Sequence, residues 1–274
     1  MTLAFSKAHG HGNDFLYVRQ GDVGNVALDV LARAMCDRHA GIGADGLIVY
    51  AVATGGSPGV LRASMWLLNA DGSRAEVSGN GVRALGALLL RDDPRDGAEV
   101  TIETEAGPKQ LTRIAREGIR QTFRASMGQP RNLHQRSIAV DGESLPLVVM
   151  DMGNPQAVVL GPLPPRDRFE RLGRVLEHHA EFPQGTNIEF AWVERPDTVH
   201  ILIWERGVGP TSSSGTGSCA ALVAAAAFGG AMRDAAVIAP GGPQRVEWRD
   251  DSVYLTGWAE VLVDGTWLGQ IPRT

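Results

Sequence analysis

The chain of 274 residues is 43% hydrophobic and 21% charged, and its formal net charge is −5 at pH 7. This length suits two domains of about 130 residues each, and the composition is ordinary for a globular protein with a core. The basic residues are scattered along the sequence rather than clustered. A nucleic-acid partner would need a concentrated basic surface, so we expect none.

The hydropathy pattern predicts a cytoplasmic protein with no membrane partner. The first 15 residues contain no apolar segment and soon reach a cluster of His, Gly, Asn and Asp, unlike a secretory signal peptide. The most apolar run, residues 219–228, is too short to span a bilayer. Cys36 and Cys219 lie in helical patterns rather than in a Cys-x-x-Cys pair, so we expect buried thiols and neither a disulfide nor a metal site.

The first half of the chain alternates short strands with glycine-rich loops and ends in an apolar helix. The pattern predicts, in chain order, a strand at 3–7, a polar loop at 9–14, a strand at 15–18, a helix carrying Leu28, Leu31, Ala32 and Met35, a glycine loop at 41–46, a strand at 47–51, a hairpin turn at Ser57-Pro58-Gly59, a strand at 61–68, and a helix from Ser78 to about Arg91. We expect the charged stretch that follows, 91–97, to be a solvated loop.

The second half repeats this order. It predicts a strand at 147–150, a polar loop at 153–155, a strand at 157–160, a helix carrying Phe169, Leu172, Val175 and Leu176, strands at 188–193 and 200–204, and a helix from Ser214. Asn69 precedes Ser78 by nine residues, as Glu205 precedes Ser214, so the two halves share a register.

We therefore predict a duplicated chain of α/β (α+β) class, with two pseudo-symmetric domains that each form a curved sheet around a central helix. The predicted domains are residues 1–117 and 118–260, joined in the polar stretch 113–118. The closing strand, 261–274, is a candidate to complete the first domain.

Two related tetrapeptides open the two apolar helices: Ser78-Gly79-Asn80-Gly81 and Ser214-Gly215-Thr216-Gly217. Ser is a favoured N-cap, and the glycines leave the first backbone N–H groups of each helix open to a ligand. Two such helix ends facing one another would hold a carboxylate between two positive dipole ends, with one hydroxyl on each side. Plain helix capping is the alternative, and the shared register favours the ligand site.

Seven polar or glycine-rich motifs are spaced through nearly the whole chain. They are His11-Gly12-Asn13-Asp14-Phe15, Asp37-Arg38-His39 with Gly41-Ile42-Gly43-Ala44-Asp45-Gly46, Asn69-Ala70-Asp71-Gly72-Ser73, Gly79-Asn80-Gly81-Val82-Arg83, Gly153-Asn154-Pro155, Gly185-Thr186-Asn187, and Glu205-Arg206-Gly207-Val208-Gly209 with Gly215-Thr216-Gly217. In this order they resemble the signature blocks of the diaminopimelate epimerase family.

The resemblance implies two domains related by a pseudo-twofold axis, with mostly antiparallel sheets. It implies an isomerase that interconverts LL- and meso-diaminopimelate at an α-carbon, in lysine and cell-wall precursor synthesis. It also implies a homodimer, and an active site without metal, pyridoxal or any other cofactor. The substrate-binding residues that it implies are Asn13, Asn69, Gly79, Asn80, Asn154, Asn187, Glu205, Arg206, Gly215 and Thr216. Among these, Arg206 suits a carboxylate and Glu205 suits an ammonium group.

The sequence departs from the family at the catalytic positions. The family uses two cysteines on opposite faces of the α-carbon, one to remove a proton and one to supply it. Here Ser78 and Ser214 occupy those positions, and Gln156 replaces the His of the family's Gly-Asn-Pro-His motif. A Ser hydroxyl is far less acidic than a thiol and needs a neighbouring base. Losing a positioned acid or base costs about 10²–10⁴-fold in rate.

Two hypotheses follow from this departure. In the first, the protein is an amino-acid epimerase with Ser78 and Ser214 as its catalytic acid and base. In the second, it is a thiol-less paralogue that binds an amino acid without epimerising it or acts on a different amino acid. A phosphate-binding enzyme ranks last, because neither glycine loop has the Lys of a P-loop.

Several motif residues also have simpler interpretations. Asn13 and Asn154 could form Asx-turns, and Glu205 with Arg206 could be an exposed ion pair of little energetic value. The register of the two halves favours the binding site over both. For His9, His11 and His39 we expect structural or surface roles, because the spacing does not suit zinc.

Overall fold

The computed structural model describes residues 2–53, 60–140 and 142–269. Its contacts divide the chain into two compact units. Unit 1 comprises the residues up to Ala125 and those from Gly257 onward, and unit 2 is Ser126–Thr256. The predicted turn at Ser57-Pro58-Gly59 lies outside the described residues.

The elements of unit 1 are mostly short strands. They are β1 (Leu3–Gly10), β2 (Asn13–Arg19), α1 (Gln20–Val23), α2 (Leu28–Cys36), β3 (Gly46–Val52), β4 (Val60–Asn69), β5 (Arg74–Ala75), α3 (Gly79–Leu89), β6 (Glu99–Thr104), β7 (Gly107–Glu117) and β8 (Arg120–Ser126).

The elements of unit 2 follow the same plan. They are β9 (Arg131–Val140), β10 (Glu143–Asp151), β11 (Pro155–Leu160), α4 (Arg166–Glu177), β12 (Asn187–Arg195), β13 (Thr198–Glu205), β14 (Gly209–Thr211), α5 (Gly215–Phe228), β15 (Asp234–Ala239), β16 (Gly242–Trp248) and β17 (Val253–Trp267). The last of these, β17, begins in unit 2 and ends in unit 1.

Each unit is a curved, mostly antiparallel sheet, as the sequence predicts. In unit 1 the strands pair in the order β17–β1–β2–β3–β4–β6–β7–β8, and β8 pairs back with β17 to close the ring. In unit 2 the order is β9–β10–β11–β12–β13–β15–β16–β17. The parallel pairs stand at equivalent places, β2 with β3 and β4 with β6 in unit 1, and β11 with β12 and β13 with β15 in unit 2. The order of pairings is therefore duplicated.

One apolar helix packs against the sheet of each unit. In unit 1, α3 contacts β1, β2, β6 and β7, and in unit 2, α5 contacts β11, β12, β13, β15 and β16. Nearly every residue of α5 through Ala225 is buried, and most of them are Ala or Gly. A helix that is apolar all round belongs in a core, and small side chains allow strands to approach it from several directions.

The predicted linker at 113–118 is instead part of the hairpin between β7 and β8. Arg113 explains the difference, because its side chain is 1% exposed and acts as a structural donor. Its guanidinium donates to the backbone oxygens of Leu90 at 2.8 Å, Asp93 at 2.7 Å and Arg95 at 2.6 Å. This polar stretch thus fastens the charged loop 91–97 to unit 1, and the chain passes to unit 2 after Ala125.

The two amphipathic helices cover the outer surfaces of the sheets. In unit 1, Leu31 and Met35 of α2 are fully buried in a cluster with residues of β1, β2, β3 and β4. In unit 2, Phe169, Leu172 and Leu176 of α4 pack with residues of β12 and β13. Among the described residues, no helix is both long and apolar enough to cross a membrane.

Candidate active site

Ser78 caps α3 in unit 1. Its backbone is extended, with φ −126° and ψ 122°, and its Oγ accepts a hydrogen bond from the backbone N–H of Gly81 at 3.1 Å. The buried Tyr17 donates its hydroxyl to the Gly81 carbonyl at 2.9 Å, which fixes the first turn to β2. The hydroxyl of Ser78 is therefore held at the N-terminus of α3.

Two predicted amide residues meet beside this helix start. Asn80 donates to Asn13 Oδ1 at 3.3 Å, and Asn13 donates to Asp45 Oδ2 at 2.8 Å. The buried Arg83, one turn further along α3, donates to Asn80 Oδ1. Asn13 and Asn80 are thus oriented as a pair, and Asp45 orients Asn13 from the opposite side.

Charged side chains hold the β1–β2 segment that carries Asn13. Asp14 pairs with Lys7 at 2.9 Å and with Arg38 at 2.7 Å, and Arg38 also reaches Asp45 at 2.8 Å. Burial raises the pKa of Asp14, but the hydrogen bonds from Arg38 and Lys7 outweigh it and bring the pKa below the ordinary value. Asp14 therefore remains ionised at neutral pH and supports the structure of the loop.

The side chain of Asn69 has a local role in the structure. It donates to Ser73 Oγ at 3.0 Å, and its backbone N–H donates to the Ser73 carbonyl at 2.8 Å. These bonds close the turn between β4 and β5. The turn lies next to the Asn13 loop, because Ala70 donates its N–H to the Asp45 carbonyl at 3.0 Å.

Ser214 caps α5 in unit 2 as Ser78 caps α3. Its backbone has φ −138° and ψ 130°, and its Oγ accepts from the N–H of Gly217 at 3.2 Å. Ser214 also hydrogen-bonds to the carboxyl group of Glu205. Burial raises the pKa of Glu205, and the bond from Ser214 offsets part of that rise.

A tight turn presents Glu205 and Arg206. The Glu205 carbonyl accepts from Val208 N–H at 3.0 Å, and Gly207, with φ 77°, donates to Glu177 at 2.7 Å. Glu177 is buried and also accepts from Trp204 Nε1 at 2.6 Å. The guanidinium of Arg206 donates to the Gln184 carbonyl at 3.1 Å, within unit 2.

Three further amide side chains form a connected group near the start of α5. The carboxamide of Gln156 lies 2.7 Å from Asn154 Oδ1, and Asn154 donates to Thr216 Oγ1 at 3.5 Å. Asn187 donates to the Pro155 carbonyl at 3.0 Å and accepts from the Arg206 N–H at 3.0 Å. Unit 2 thus brings Asn154, Asn187, Glu205, Ser214 and Thr216 together.

Glu189 is a functional candidate that the sequence motifs do not include. It is fully buried on β12 between Ile188 and Phe190. Burial raises its pKa well above the ordinary value, and the charge of Glu205 raises it further. The available signal was a carboxylate inside an apolar strand two residues after Asn187, since an acidic residue is rarely fully buried without a specific role.

The α5 end of unit 2 can therefore bind an anion and move a proton. Backbone N–H groups at a helix N-terminus favour a carboxylate. A carboxylate that accepts from a Ser hydroxyl can act as the base that this hydroxyl needs. Unit 1 offers a second capped helix start with two oriented amides.

Comparison of the sequence with known proteins shows which family the chain belongs to. The model of the diaminopimelate epimerase family matches residues 5–132 and 148–262. The diaminopimelate epimerase of Desulforudis audaxviator is 39% identical, over 97% of this chain and 99% of its own length. That of Synechococcus elongatus is 35% identical, over 97% of this chain and 98% of its own. The chain belongs to the diaminopimelate epimerase family.

Solved structures confirm the fold expected of a diaminopimelate epimerase family member. A hydroxyproline epimerase from Agrobacterium vitis matches with a TM-score of 0.72 at 17% identity, over 98% of this chain and 93% of its own. A Pseudomonas aeruginosa protein described as a predicted epimerase matches with a TM-score of 0.71 at 13% identity, over 98% of this chain and all (100%) of its own. At these identities the likeness is one of fold alone.

Within this diaminopimelate epimerase framework, the two thiols of the chain lie elsewhere. Cys36 and Cys219 are both buried, as predicted. Burial raises the pKa of Cys36 to about 12, so it is a thiol at neutral pH. Among the described residues, no group of three or more His, Cys, Asp or Glu side chains is arranged to hold a metal ion.

Proposed function

We propose that the protein is a cofactor-independent isomerase that inverts the α-carbon of an amino acid, with diaminopimelate as substrate. Ser78 and Ser214 take the two acid/base positions. The single observation that supports catalysis most directly is the hydrogen bond between Ser214 and Glu205 at the start of α5. A Ser hydroxyl is less acidic than the Cys thiol of the family and needs a neighbouring base, and Glu205 is placed to be that base.

In the proposed reaction, Ser214 and Glu205 act as one proton-transfer unit. As the Cα–H bond breaks, its proton passes to Ser214 Oγ while the hydroxyl proton of Ser214 passes to the Glu205 carboxylate. The electron pair of the broken bond is delocalised into the substrate carboxylate. A second proton, from the hydroxyl of Ser78, then forms the new Cα–H bond on the opposite face. After the product leaves, the Ser78 alkoxide takes a proton from solvent and Glu205 releases its proton to solvent, which restores both groups.

The substrate carboxylate needs donors for this delocalisation, because negative charge develops on it in the transition state. The backbone N–H groups of Gly215 and Thr216 lie in the first turn of α5, where the helix dipole favours negative charge. Asn154 and Thr216 add polar side chains there. Asn13, Asn69, Gly79 and Asn80 are the proposed substrate contacts from unit 1, and Asn187 and Arg206 are those from unit 2.

The biological setting is proposed from family membership. We place the activity in the cytoplasm, in lysine and cell-wall precursor synthesis, and infer a homodimer. We also propose that the two predicted domains act together and that each supplies part of the active site.

The experiment for this function is solvent-deuterium incorporation at Cα of diaminopimelate, followed by proton NMR. Incorporation above the protein-free rate, with loss of stereochemical purity, is the expected result. Incorporation at the protein-free rate would refute the proposal.

A second candidate is a protein that binds an amino acid without epimerising it. Gln156 favours it, because this fully buried amide occupies the place of an ionisable His and cannot exchange a proton with the substrate. Titration calorimetry separates the two candidates. Binding of diaminopimelate without exchange supports the second, whereas the absence of binding to any amino acid removes both.

A further inference from the structure

The turn that carries Arg206 is held through two successive backbone N–H groups. Arg206 donates its N–H to Asn187 Oδ1 at 3.0 Å. Gly207 donates its N–H to Glu177 Oε1 at 2.7 Å, across 30 residues of the chain. Glu177 is the last residue of α4, so a helix on the outer surface of unit 2 fastens a turn of the candidate active site.

Glu177 is 6% exposed, and both of its carboxyl oxygens accept hydrogen bonds. Oε1 accepts from the Gly207 N–H, and Oε2 accepts from the indole Nε1–H of Trp204 at 2.6 Å. The dipole of a helix opposes a negative charge at its C-terminal end, and burial removes that charge from water. The stability of α4 therefore does not explain a glutamate at this position, whereas its bonds to β13 and to the turn do.

The equivalent turn in unit 1 has an acceptor of its own. It follows Asn69, and Asp71 Oδ1 accepts from the N–H of Ser73 at 2.8 Å. In the register of the two halves Asn69 corresponds to Glu205, so Asp71 corresponds to Gly207. Glycine has no side chain that could accept a hydrogen bond. Unit 2 therefore depends on an acceptor from outside the turn, and Glu177 supplies it.

The segment that follows α4 also holds the side chain of Arg206. Its Nη1 donates to the Gln184 carbonyl at 3.1 Å. A Cβ at Gly185 would lie 2.9 Å from Arg206 Cδ and 3.3 Å from the Glu177 carbonyl, so only glycine leaves the Arg206 side chain its present place. Gly185 also has a φ of 72°, which favours glycine. The end of α4 thus contacts Arg206 through its side chain and holds it through its turn.

We propose that Glu177 is a positioning residue, which orients Arg206 toward the carboxylate of an amino acid by fixing the Gly207 N–H. The identity of this ligand rests on the proposed function, in which Arg206 contacts the substrate. Successive side chains of an extended strand point to opposite faces, so the turn after Glu205 decides where Arg206 points. A guanidinium that binds a carboxylate through two parallel hydrogen bonds needs a defined direction. Loss of the Glu177 carboxylate should therefore lower affinity without removing a group that touches the ligand.

Amide hydrogen exchange, followed by NMR on the full chain without ligand, tests the positioning itself. In Glu177→Gln the side chain keeps its size, but its NH₂ group must face the N–H of either Gly207 or Trp204. We expect the Gly207 amide to exchange faster than in wild type by about tenfold, the value of one lost hydrogen bond. Glu170→Gln is the matched control, because it removes a carboxylate that pairs with Arg166 on the same helix and should leave the Gly207 rate unchanged.

An unchanged Gly207 exchange rate in Glu177→Gln would overturn the inference, whatever the protein binds. If Glu177→Gln does not fold, Glu177→Asp takes its place, because its carboxylate keeps the charge but is one methylene shorter. The same two outcomes then apply to Glu177→Asp.

A double-mutant cycle, measured by titration calorimetry with diaminopimelate, tests whether Glu177 acts through Arg206. Glu177→Gln and Arg206→Ala should each lower the affinity by about tenfold. In the Arg206→Ala background the further change Glu177→Gln should cost less than about twofold, because the group that Glu177 positions is already absent.

Equal costs of Glu177→Gln in the two backgrounds would indicate a merely structural role for Glu177 and would overturn the inference. If wild type binds no amino acid, the proposed function fails, and with it the carboxylate as the ligand of Arg206. The exchange experiment still decides whether Glu177 fixes the turn, so the two failures are distinguishable.

Discussion

Glu189 and Glu205 lie diagonally on one face of paired strands β12 and β13, and their surroundings separate their proton affinities. Glu189 is fully buried, so burial and then the charge of Glu205 raise its pKa. Glu205 is only partly buried and hydrogen-bonds to Ser214, which limits the rise of its own pKa. Two carboxyl groups separated in this way can hold different protonation states at one pH, which is how acid and base roles are divided.

The first prediction concerns stability against pH. The pKa of Glu189 is higher in the folded than in the unfolded chain. Its contribution to the free energy of unfolding is therefore fully present at a pH below its pKa in the unfolded chain. That contribution is lost as the pH rises through its pKa in the folded chain. Urea unfolding of wild type should therefore show a free energy that falls across this window. Glu189→Gln should show a shallower fall, and equal slopes for the two proteins would contradict the pKa assignment.

The second prediction separates the capping role of Ser214 from its chemical role. Ser214→Ala removes the acceptor of the Gly217 N–H and should cost about 1 kcal/mol in the free energy of unfolding, whereas Ser214→Gly should cost only a few tenths. Both should lower the Cα exchange rate by about 10²–10⁴-fold, because both remove the hydroxyl. If Ser214→Gly exchanged at the wild-type rate, Ser214 would be a cap and nothing more.

The third prediction concerns the close approach of Glu189 and α5. Gly217→Ala would place a methyl group 2.6 Å from Glu189 Oε1, so the carboxyl group or the first turn must shift. We expect a loss of about 1–3 kcal/mol in the free energy of unfolding. Gly21→Ala is the matched control, since its added Cβ would meet nothing within 4 Å and its φ is not positive. Similar stabilities for the two variants would show that Glu189 does not approach Gly217 this closely.

The fourth prediction tests how Asn13 is held in unit 1. Asp45→Ala removes the carboxylate that accepts from Asn13 at 2.8 Å and from the backbone N–H of Asp14 at 3.1 Å. Amino-acid affinity measured by calorimetry should fall by about tenfold, the value of one lost hydrogen bond. Asp29→Ala, which breaks an exposed pair with Arg33 one turn away on α2, should leave the affinity unchanged. Equal effects would exclude a specific role for Asp45.

Much of the fold could be predicted because it depends on local rules and on duplication. Both serines are N-caps as predicted, and α3 and α5 begin one residue after them. The helix patterns around Leu31 and Leu172 correspond to α2 and α4. Each of these signals lies within one turn or one period of the chain, so sequence alone can reveal it.

The parts that could not be predicted depend on contacts distant in sequence. The polar character of residues 113–118 suggested a linker, but the guanidinium of Arg113 donates from its two terminal nitrogens to backbone oxygens about 20 residues away. Glu189 was missed for the same reason, since nothing in the run Ile188-Glu189-Phe190 indicates the carboxamide or the glycine that it meets. Asn69 was predicted to bind substrate. In the structure its side chain donates to Ser73 and stabilises a turn, a role that the sequence did not indicate.

Deuterium incorporation at Cα of diaminopimelate, compared between wild type and Glu205→Gln, tests most directly whether Ser214 and Glu205 form one proton-transfer unit. We predict that wild type exchanges above the protein-free rate. Glu205→Gln keeps the shape of the side chain but cannot accept the Ser214 proton, so it should be slower by about 10²–10⁴-fold. Equal rates for the two proteins, or a wild-type rate no higher than the protein-free one, would contradict this role.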